Sequence, residues 1–282
     1  MPSQHFNFQN TFSQNSKFHW DFHKNVQELE RWEIIGEIYE HWNAAKSPDI
    51  SPIPKVIHQI WLGSPVPSRY DAWRASWKKF HPEYEYKLWT ERDILDFGLV
   101  NKTAYLQSKN FAVKSDIARC EILYRLGGIY VDTDFECLAH FDPKLMGVSC
   151  FLGQTFTSQP EFNNAIMGCA PENKLMSLMI ESLAKPVLHN NAIEIIKQTG
   201  AIKLTNLFFA HELYKSENIL ILPSDYFYPW PNFLLHDEKN RYKYLTDKSI
   251  AIHHWEMSWF KFMPITRLKL ALKKLLMALN RI

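Results

Sequence analysis

Asp132, Asp134 and Glu136 occupy alternate positions of "VDTDFE", directly after the apolar run Ile129, Tyr130 and Val131. In an extended chain, residues two apart point to the same side, so the first two carboxylates can face one ligand. Paired carboxylates at a strand end suit a hard divalent cation, which takes oxygen ligands and completes its shell with substrate phosphates. A solvated strand end is the other reading of the same pattern, because surface carboxylates are common. Upstream, Asp116 and Arg119 share one face of a helix that runs into the strand through Gly127-Gly128. Downstream, the neighbours His253 and His254 precede Ser258 and Trp259.

These residues need a frame. "KVIHQIWLG" (55–63) is an apolar strand stopped by Gly63, and "YDAWRASWKKF" (70–80) is helical, with Trp73, Trp77 and Phe80 at i, i+4 and i+7. "YEYKLWT" (84–90) returns as a strand, and "NFAVKSDIARCEILYRL" (110–126) is a helix ended by the glycine pair. Strand, helix, strand, helix, strand is the grammar of an α/β domain with an open, largely parallel sheet. Ligands of such sheets gather beyond the carboxyl ends of the strands, which is where Asp132 and Asp134 fall if 129–131 is a central strand.

The bulk properties narrow the class. With 282 residues, 46% of them hydrophobic, the chain can bury roughly three quarters of its unfolded surface, so it is globular. Lys+Arg 32 against Asp+Glu 30 is too balanced to point to nucleic acid as a partner. Cys120, Cys137, Cys150 and Cys169 form no CxxC pair and read as reduced and buried, hence a cytoplasmic setting. The first residues lack a basic and apolar leader pattern, and no apolar run approaches the roughly 18–20 residues that span a bilayer. Residues 1–50 hold an aromatic, polar arm and an amphipathic helix carrying Leu29, Trp32, Ile35, Tyr39 and Trp42; the prolines of "SPDISPIP" (47–54) close it and mark the edge of a main domain, 51–260.

"IPKVIHQIWLG", "SDIARCEILYRLGGIYVDTDF" and "AIHHWEMSW" resemble, in order and approximate spacing, the DXD-containing glycosyltransferases of the glycosyltransferase family 32 type. That family includes bacterial capsule and lipopolysaccharide sugar transferases and fungal mannosyltransferases, with clostridial glucosylating toxins as more distant relatives. The likeness spans roughly residues 53–260. It implies a GT-A (Rossmann-like) nucleotide-sugar transferase fold, with a mostly parallel central sheet and flanking helices. It also implies a metal-dependent retaining hexosyltransferase that uses a UDP- or GDP-sugar, with Mn²⁺ or Mg²⁺ as cofactor, in capsular or lipopolysaccharide synthesis. The acceptor would be a glycan or a lipid-linked oligosaccharide.

The same resemblance assigns roles. Asp132, Asp134 and Arg119 would be catalytic, with the two acids holding the cation against the donor diphosphate. His253 first and His254 second would complete the metal shell. Asp116 and Arg119 would contact the donor sugar, with Tyr130 and Asp132 beside them, while Ile60 and Trp61 would clamp the nucleobase and Ser258 and Trp259 would touch the diphosphate. A single histidine is more often structural, and a buried tryptophan more often plain core. Where the family often carries "TGP" this chain has "TGA" (199–201), so the acceptor side is expected to be shaped differently. Counting does not settle whether Asn163 or Asn164 faces the site. Tyr226, Phe227, Tyr228 and Trp230 read either as core or as an acceptor platform, with core favoured.

The tail, 261–282, has six basic residues and no acid. On a helix from Ile265, Leu268, Leu272, Leu275, Leu276, Leu279 and Ile282 form one arc, and Arg267, Lys269, Lys273, Lys274 and Arg281 the other. This is the pattern of an in-plane helix on an anionic membrane, placing the protein on the inner face of the cytoplasmic membrane; a helix packed on the domain is the alternative. Two other functions compete. A protein-modifying effector of the same fold would use the N-terminal arm for export or docking. A D-x-D phosphohydrolase would leave Asp116, Arg119 and the histidine pair unexplained, and a glycan-binding module would have no use for a cation site.

Overall fold

The computed structural model describes residues 26–46, 52–155, 160–187 and 192–256. Within it the expected alternation is present. Strand β1 (Val56–Ile60) leads to helix α2 (Asp71–Phe80), strand β2 (Glu85–Trp89), helices α3 (Glu91–Phe97), α4 (Lys102–Gln107) and α5 (Phe111–Leu126), and strand β3 (Gly128–Val131). Helix α1 (Val26–Ala44) precedes them and lies against strand β7 (Ile219–Leu222), burying Trp32, Ile35, Tyr39 and Trp42. Residues 1–25 and 257–282, and with them Ser258, Trp259 and the basic tail, lie outside the described residues.

The main sheet has six strands in the order β2-β1-β3-β6-β5-β7, where β5 is Cys150–Gln154 and β6 is Phe162–Cys169. Pairings β1–β2, β1–β3 and β5–β7 are parallel, whereas β6 runs against both β3 and β5. Five strands therefore share one direction, and the sheet is mostly parallel as the alternation implied. All four residues of β3 are buried, as a central strand covered on both faces requires.

Two local features aim β3 at the site. The Asn110 side chain caps α5 by accepting from the N–H of Ala112 at 2.8 Å. At the other end Gly127 and Gly128 take φ values of +63° and +94°. A Cβ on Gly128 would sit 2.7 Å from the Val56 carbonyl oxygen of β1, so the helix can turn into the sheet only through glycine here.

Beyond β3 the chain departs from the extended path read from the sequence. Residues 133–134 form a turn, with the N–H of Phe135 on the carbonyl of Asp132 at 3.2 Å. Strand β4 (Phe135–Cys137) then pairs antiparallel with β8 (Ala251–His253) in a separate two-stranded sheet. Asp132 and Asp134 thus converge across a turn rather than by strand alternation, and Glu136 belongs to the second sheet. The run Tyr226, Phe227, Tyr228 and Trp230 is buried, which favours the core reading over a platform. No described helix is long and apolar enough to cross a membrane.

Candidate active site

The carboxyl end of β3 brings Asp132, Asp134 and His253 together: one ligand atom from each lies within 4.8 Å of the others. Asp132 is anchored by its own strand and its neighbours. Its N–H bonds the Ala165 carbonyl of β6 at 2.7 Å, and its carbonyl accepts from the Gln59 side chain of β1 at 3.2 Å. Its Oδ1 accepts from the Tyr130 hydroxyl at 2.5 Å and lies 3.3 Å from Arg119 Nη2. Burial pushes the Tyr130 phenol well above its ordinary range, so it remains a donor.

Asp134 is held by the strand that returns last in the chain. His253 Nε2 lies 3.1 Å from its Oδ1, the N–H of Glu256 donates to Oδ2 at 2.9 Å, and the N–H of His254 donates to its carbonyl at 2.9 Å. Trp255 between them has φ +53°, a left-handed corner that a bulky residue adopts only when its surroundings impose it.

The two acids are pushed apart electrostatically. Burial and then the neighbouring Asp134 charge raise the Asp132 carboxyl above the usual range, against the pull of Arg119. Burial also works against Asp134, but His253 and the Glu256 N–H outweigh it and hold that carboxyl below the usual range. A cation between the carboxylates would remove the mutual repulsion. The donor set fits one: the two carboxylates suit Mn²⁺ or Mg²⁺, and the imidazole favours Mn²⁺ of the two. Asp132 keeps 29% of its side chain exposed, enough for a ligand to reach it, while Asp134 at 13% and His253 at 8% form the floor.

Behind this pair stands a buried network on α5. Arg119 Nη2 bridges Asp116 Oδ1 and Asp132 Oδ1, both at 3.3 Å, and its guanidinium lies 4.3 Å from the Tyr130 ring centroid. Nη2 also donates to the Ser115 hydroxyl, while Nε donates to the Ser115 carbonyl and Nη1 to the Asn164 carbonyl. Asp116 accepts from Asn164 Nδ2 at 2.8 Å and from the Thr199 hydroxyl at 2.6 Å, and burial raises it to about 6. The structure therefore places Asp116 and Arg119 as supports of Asp132, and it is Asn164, not Asn163, that joins them. Thr199 opens the "TGA" run, so the part of that run shared with "TGP" sits on the support network, while the departure itself, Ala201, starts the next helix.

The remaining expected residues are distributed around this centre. Ile60 is buried at the end of β1, and Trp61 follows it half-exposed, with its N–H on the Trp89 carbonyl and its ring centroid 4.9 Å from that of Tyr70. His254 is not gathered with the cluster. Its Nε2 pairs with Glu136 Oε2 at 3.0 Å, and its ring stacks on Trp73 at 4.0 Å and 9°. Glu136 also accepts from the Tyr242 hydroxyl at 2.8 Å. Trp73 is read from the sequence only as part of a helical apolar stripe, and Tyr242 and Glu256 not at all; nothing local distinguishes them from ordinary helix and loop residues.

Residues 67–151, which include Asp132 and Asp134, match the glycosyltransferase sugar-binding region containing the DXD motif. The chain is similar to inositol phosphoceramide mannosyltransferase 3 of Schizosaccharomyces pombe, 29% identical over 62% of this chain and 48% of that one. It is also similar to inositol phosphoceramide mannosyltransferase 2 of the same organism, 32% identical over 47% of this chain and 39% of that one. It thus spans about half the length of these curated relatives, or less. Among solved structures, the catalytic domain of alpha-toxin from Clostridium novyi aligns at 12% identity and a TM-score of 0.46, over 88% of this chain and 87% of that one.

Proposed function

We propose that the chain is a DXD-containing glycosyltransferase that moves a hexosyl group, mannose first among the candidates, from a UDP- or GDP-sugar to a membrane-associated glycan or glycolipid. The observation that carries this reading is the convergence of Asp132, Asp134 and His253 at the carboxyl end of the central strand, where an open sheet binds its ligand. The names of the fungal relatives favour a mannosyl donor and a lipid acceptor. A capsular or lipopolysaccharide glycan fits the same chemistry, as a different acceptor of the same class. The basic, apolar-striped segment 265–282 would bring the protein to the surface of an anionic membrane.

On this reading Asp132, Asp134 and His253 hold the divalent cation, which when bound supplies Lewis-acid neutralisation of the departing diphosphate. Tyr130 and Arg119 fix the direction of the Asp132 carboxylate, so its charge is aimed before any ligand arrives. The Glu256 N–H does the same for Asp134. The bond between the anomeric carbon and the diphosphate oxygen breaks as the acceptor hydroxyl oxygen bonds that carbon from the same face. The hydroxyl proton passes to the departing diphosphate oxygen, so configuration is retained and no protein base is required.

The test is donor turnover. The full chain is incubated with GDP-mannose and with UDP-hexoses in Mn²⁺, with and without vesicles carrying inositol phosphoceramide or a polyprenyl-linked glycan. Release of nucleotide diphosphate that grows with one acceptor, and a product hydrolysed by an α-glycosidase but not by a β-glycosidase, as retention from an α-linked donor requires, supports the reading. No turnover of any nucleotide sugar across these acceptors and a protein acceptor set contradicts it.

A further inference from the structure

His254 stands next to a cation ligand yet faces away from the cluster, and its surroundings are more constrained than core packing alone requires. Its ring is fixed by its face on Trp73 of α2, at 4.0 Å and 9°, and by its edge on Glu136 of β4, at 3.0 Å. Glu136 is fixed in turn by Tyr242 at 2.8 Å. The very next residue is Trp255 at φ +53°, with its indole N–H on the Trp230 carbonyl at 2.9 Å and its ring 4.1 Å from that of His253. The residue after that delivers its N–H to Asp134 Oδ2 and its carboxylate to Arg69 at 3.4 Å.

We propose that Trp73 and Glu136, acting through His254, are positioning residues of the cation site: their hold on the His254 ring keeps the chain after β8 in the left-handed corner that presents His253 and the Glu256 N–H to Asp134. This rests on the cation-dependent reading above and extends it to residues that touch neither cation nor donor. The physical reason is strain. A left-handed tryptophan costs free energy in isolation and persists only where the neighbours over-determine it. The stack on one side and the Trp255–Trp230 bond on the other bracket that residue. Released on the His254 side, the corner can relax to a right-handed or extended backbone, which carries the Glu256 N–H away from Asp134 and leaves His253 free to turn.

The test uses the full chain with Mn²⁺ as the probe, read by the electron paramagnetic resonance signal of free Mn²⁺ and independent of turnover. Trp73→Leu removes the ring from a partly exposed helix position, so the fold survives. The expected result is a Mn²⁺ dissociation constant raised at least about tenfold, the range seen when groups that orient metal ligands are removed. Trp73→Phe, which restores a ring against His254, should bring it back to within about threefold of wild type. Leu99→Ala, a cavity variant in the loop between α3 and α4, serves as the control for lost stability and should leave Mn²⁺ binding unchanged. Wild-type affinity in Trp73→Leu overturns the proposal, as does equal weakening in Leu99→Ala. A wild-type protein that binds no Mn²⁺ overturns the cation reading itself and this inference with it, so the two failures are told apart by the wild-type titration.

Discussion

His253 Nε2 and Asp134 Oδ1 lie 3.1 Å apart although 119 residues separate them in the chain, and the contact is made across the β4–β8 pair that forms only when the two ends of the domain meet. The candidate cation site is thereby completed by tertiary structure rather than by a local motif. Removing Asp134 should abolish chemistry without unfolding the protein. Several kcal/mol of charge stabilisation is at stake, so Asp134→Ala should lower turnover at least about a thousandfold. The stability loss should stay within about 1–3 kcal/mol, the cost of leaving the Glu256 N–H unpaired. Donor turnover and urea unfolding measure the two; near-normal turnover would exclude Asp134 as a ligand.

The glycine pair should be intolerant of any side chain. Gly128→Ala would carry a Cβ 2.7 Å from the Val56 carbonyl oxygen in a backbone at φ +94°. Strain of that kind costs about 1–3 kcal/mol before the clash is counted, so the urea midpoint should fall clearly. An unchanged midpoint would show that α5 can enter β3 by another path.

Acid should weaken the fold through His58. Its Nδ1 accepts from the Trp89 indole at 3.1 Å and its Nε2 faces the Gly127 carbonyl at 3.0 Å, a pairing only the neutral ring can make. Burial holds it down at about 4. Because the folded value lies below the ordinary one of about 6.5, the unfolded chain binds the proton more readily. The stability contribution is therefore full above pH 6.5 and is lost as pH falls toward 4, by about 2 kcal/mol between pH 7 and 5. Asp116 and Asp225, raised to about 6 by burial, act in the opposite sense. The informative quantity is thus the difference between wild type and His58→Gln, which should shrink at pH 5; a gap equal at both pH values would contradict the assignment.

Thr199→Val should reveal how far the support network reaches. It removes the 2.6 Å bond to Asp116 at nearly constant volume. A buried carboxyl left short of a donor costs about 1–3 kcal/mol, and Arg119, shared between Asp116 and Asp132, should shift with it. Unfolding should become easier and turnover should fall severalfold, with the donor KM less affected than kcat. A variant with wild-type stability and turnover would confine Thr199 to packing.

The segment from α5 through the glycine pair to Asp134 was legible in the sequence because each part carries a strong local signal: an apolar helical stripe, φ-permissive glycines, a short apolar strand and paired acids. The parallel strands β1, β2 and β3 followed from their alternation with helices. The antiparallel strand β6 did not, since its direction is set by partners on both sides rather than by its own residues. Asp116 and Arg119 were legible as a pair on one helical face, but not their inward use, which depends on Asn164 and Thr199 arriving from 48 and 83 residues away. Nor could spacing separate His253 from His254. Adjacent residues at a strand end face opposite ways, and which of them meets Asp134 is decided by the register of β8 on β4, where Phe135 pairs with His253.

The central claim, that Asp132, Asp134 and His253 form a cation site for a nucleotide diphosphate, is tested most directly by thermal stability of the purified chain with UDP and with GDP, each with and without Mn²⁺, beside Asp134→Ala. A nucleotide at about a hundred times its Kd adds about 2.7 kcal/mol. The account predicts that one nucleotide raises the melting temperature only when Mn²⁺ is present and only in the wild type. Stabilisation by nucleotide without metal, or to the same extent in Asp134→Ala, would contradict it.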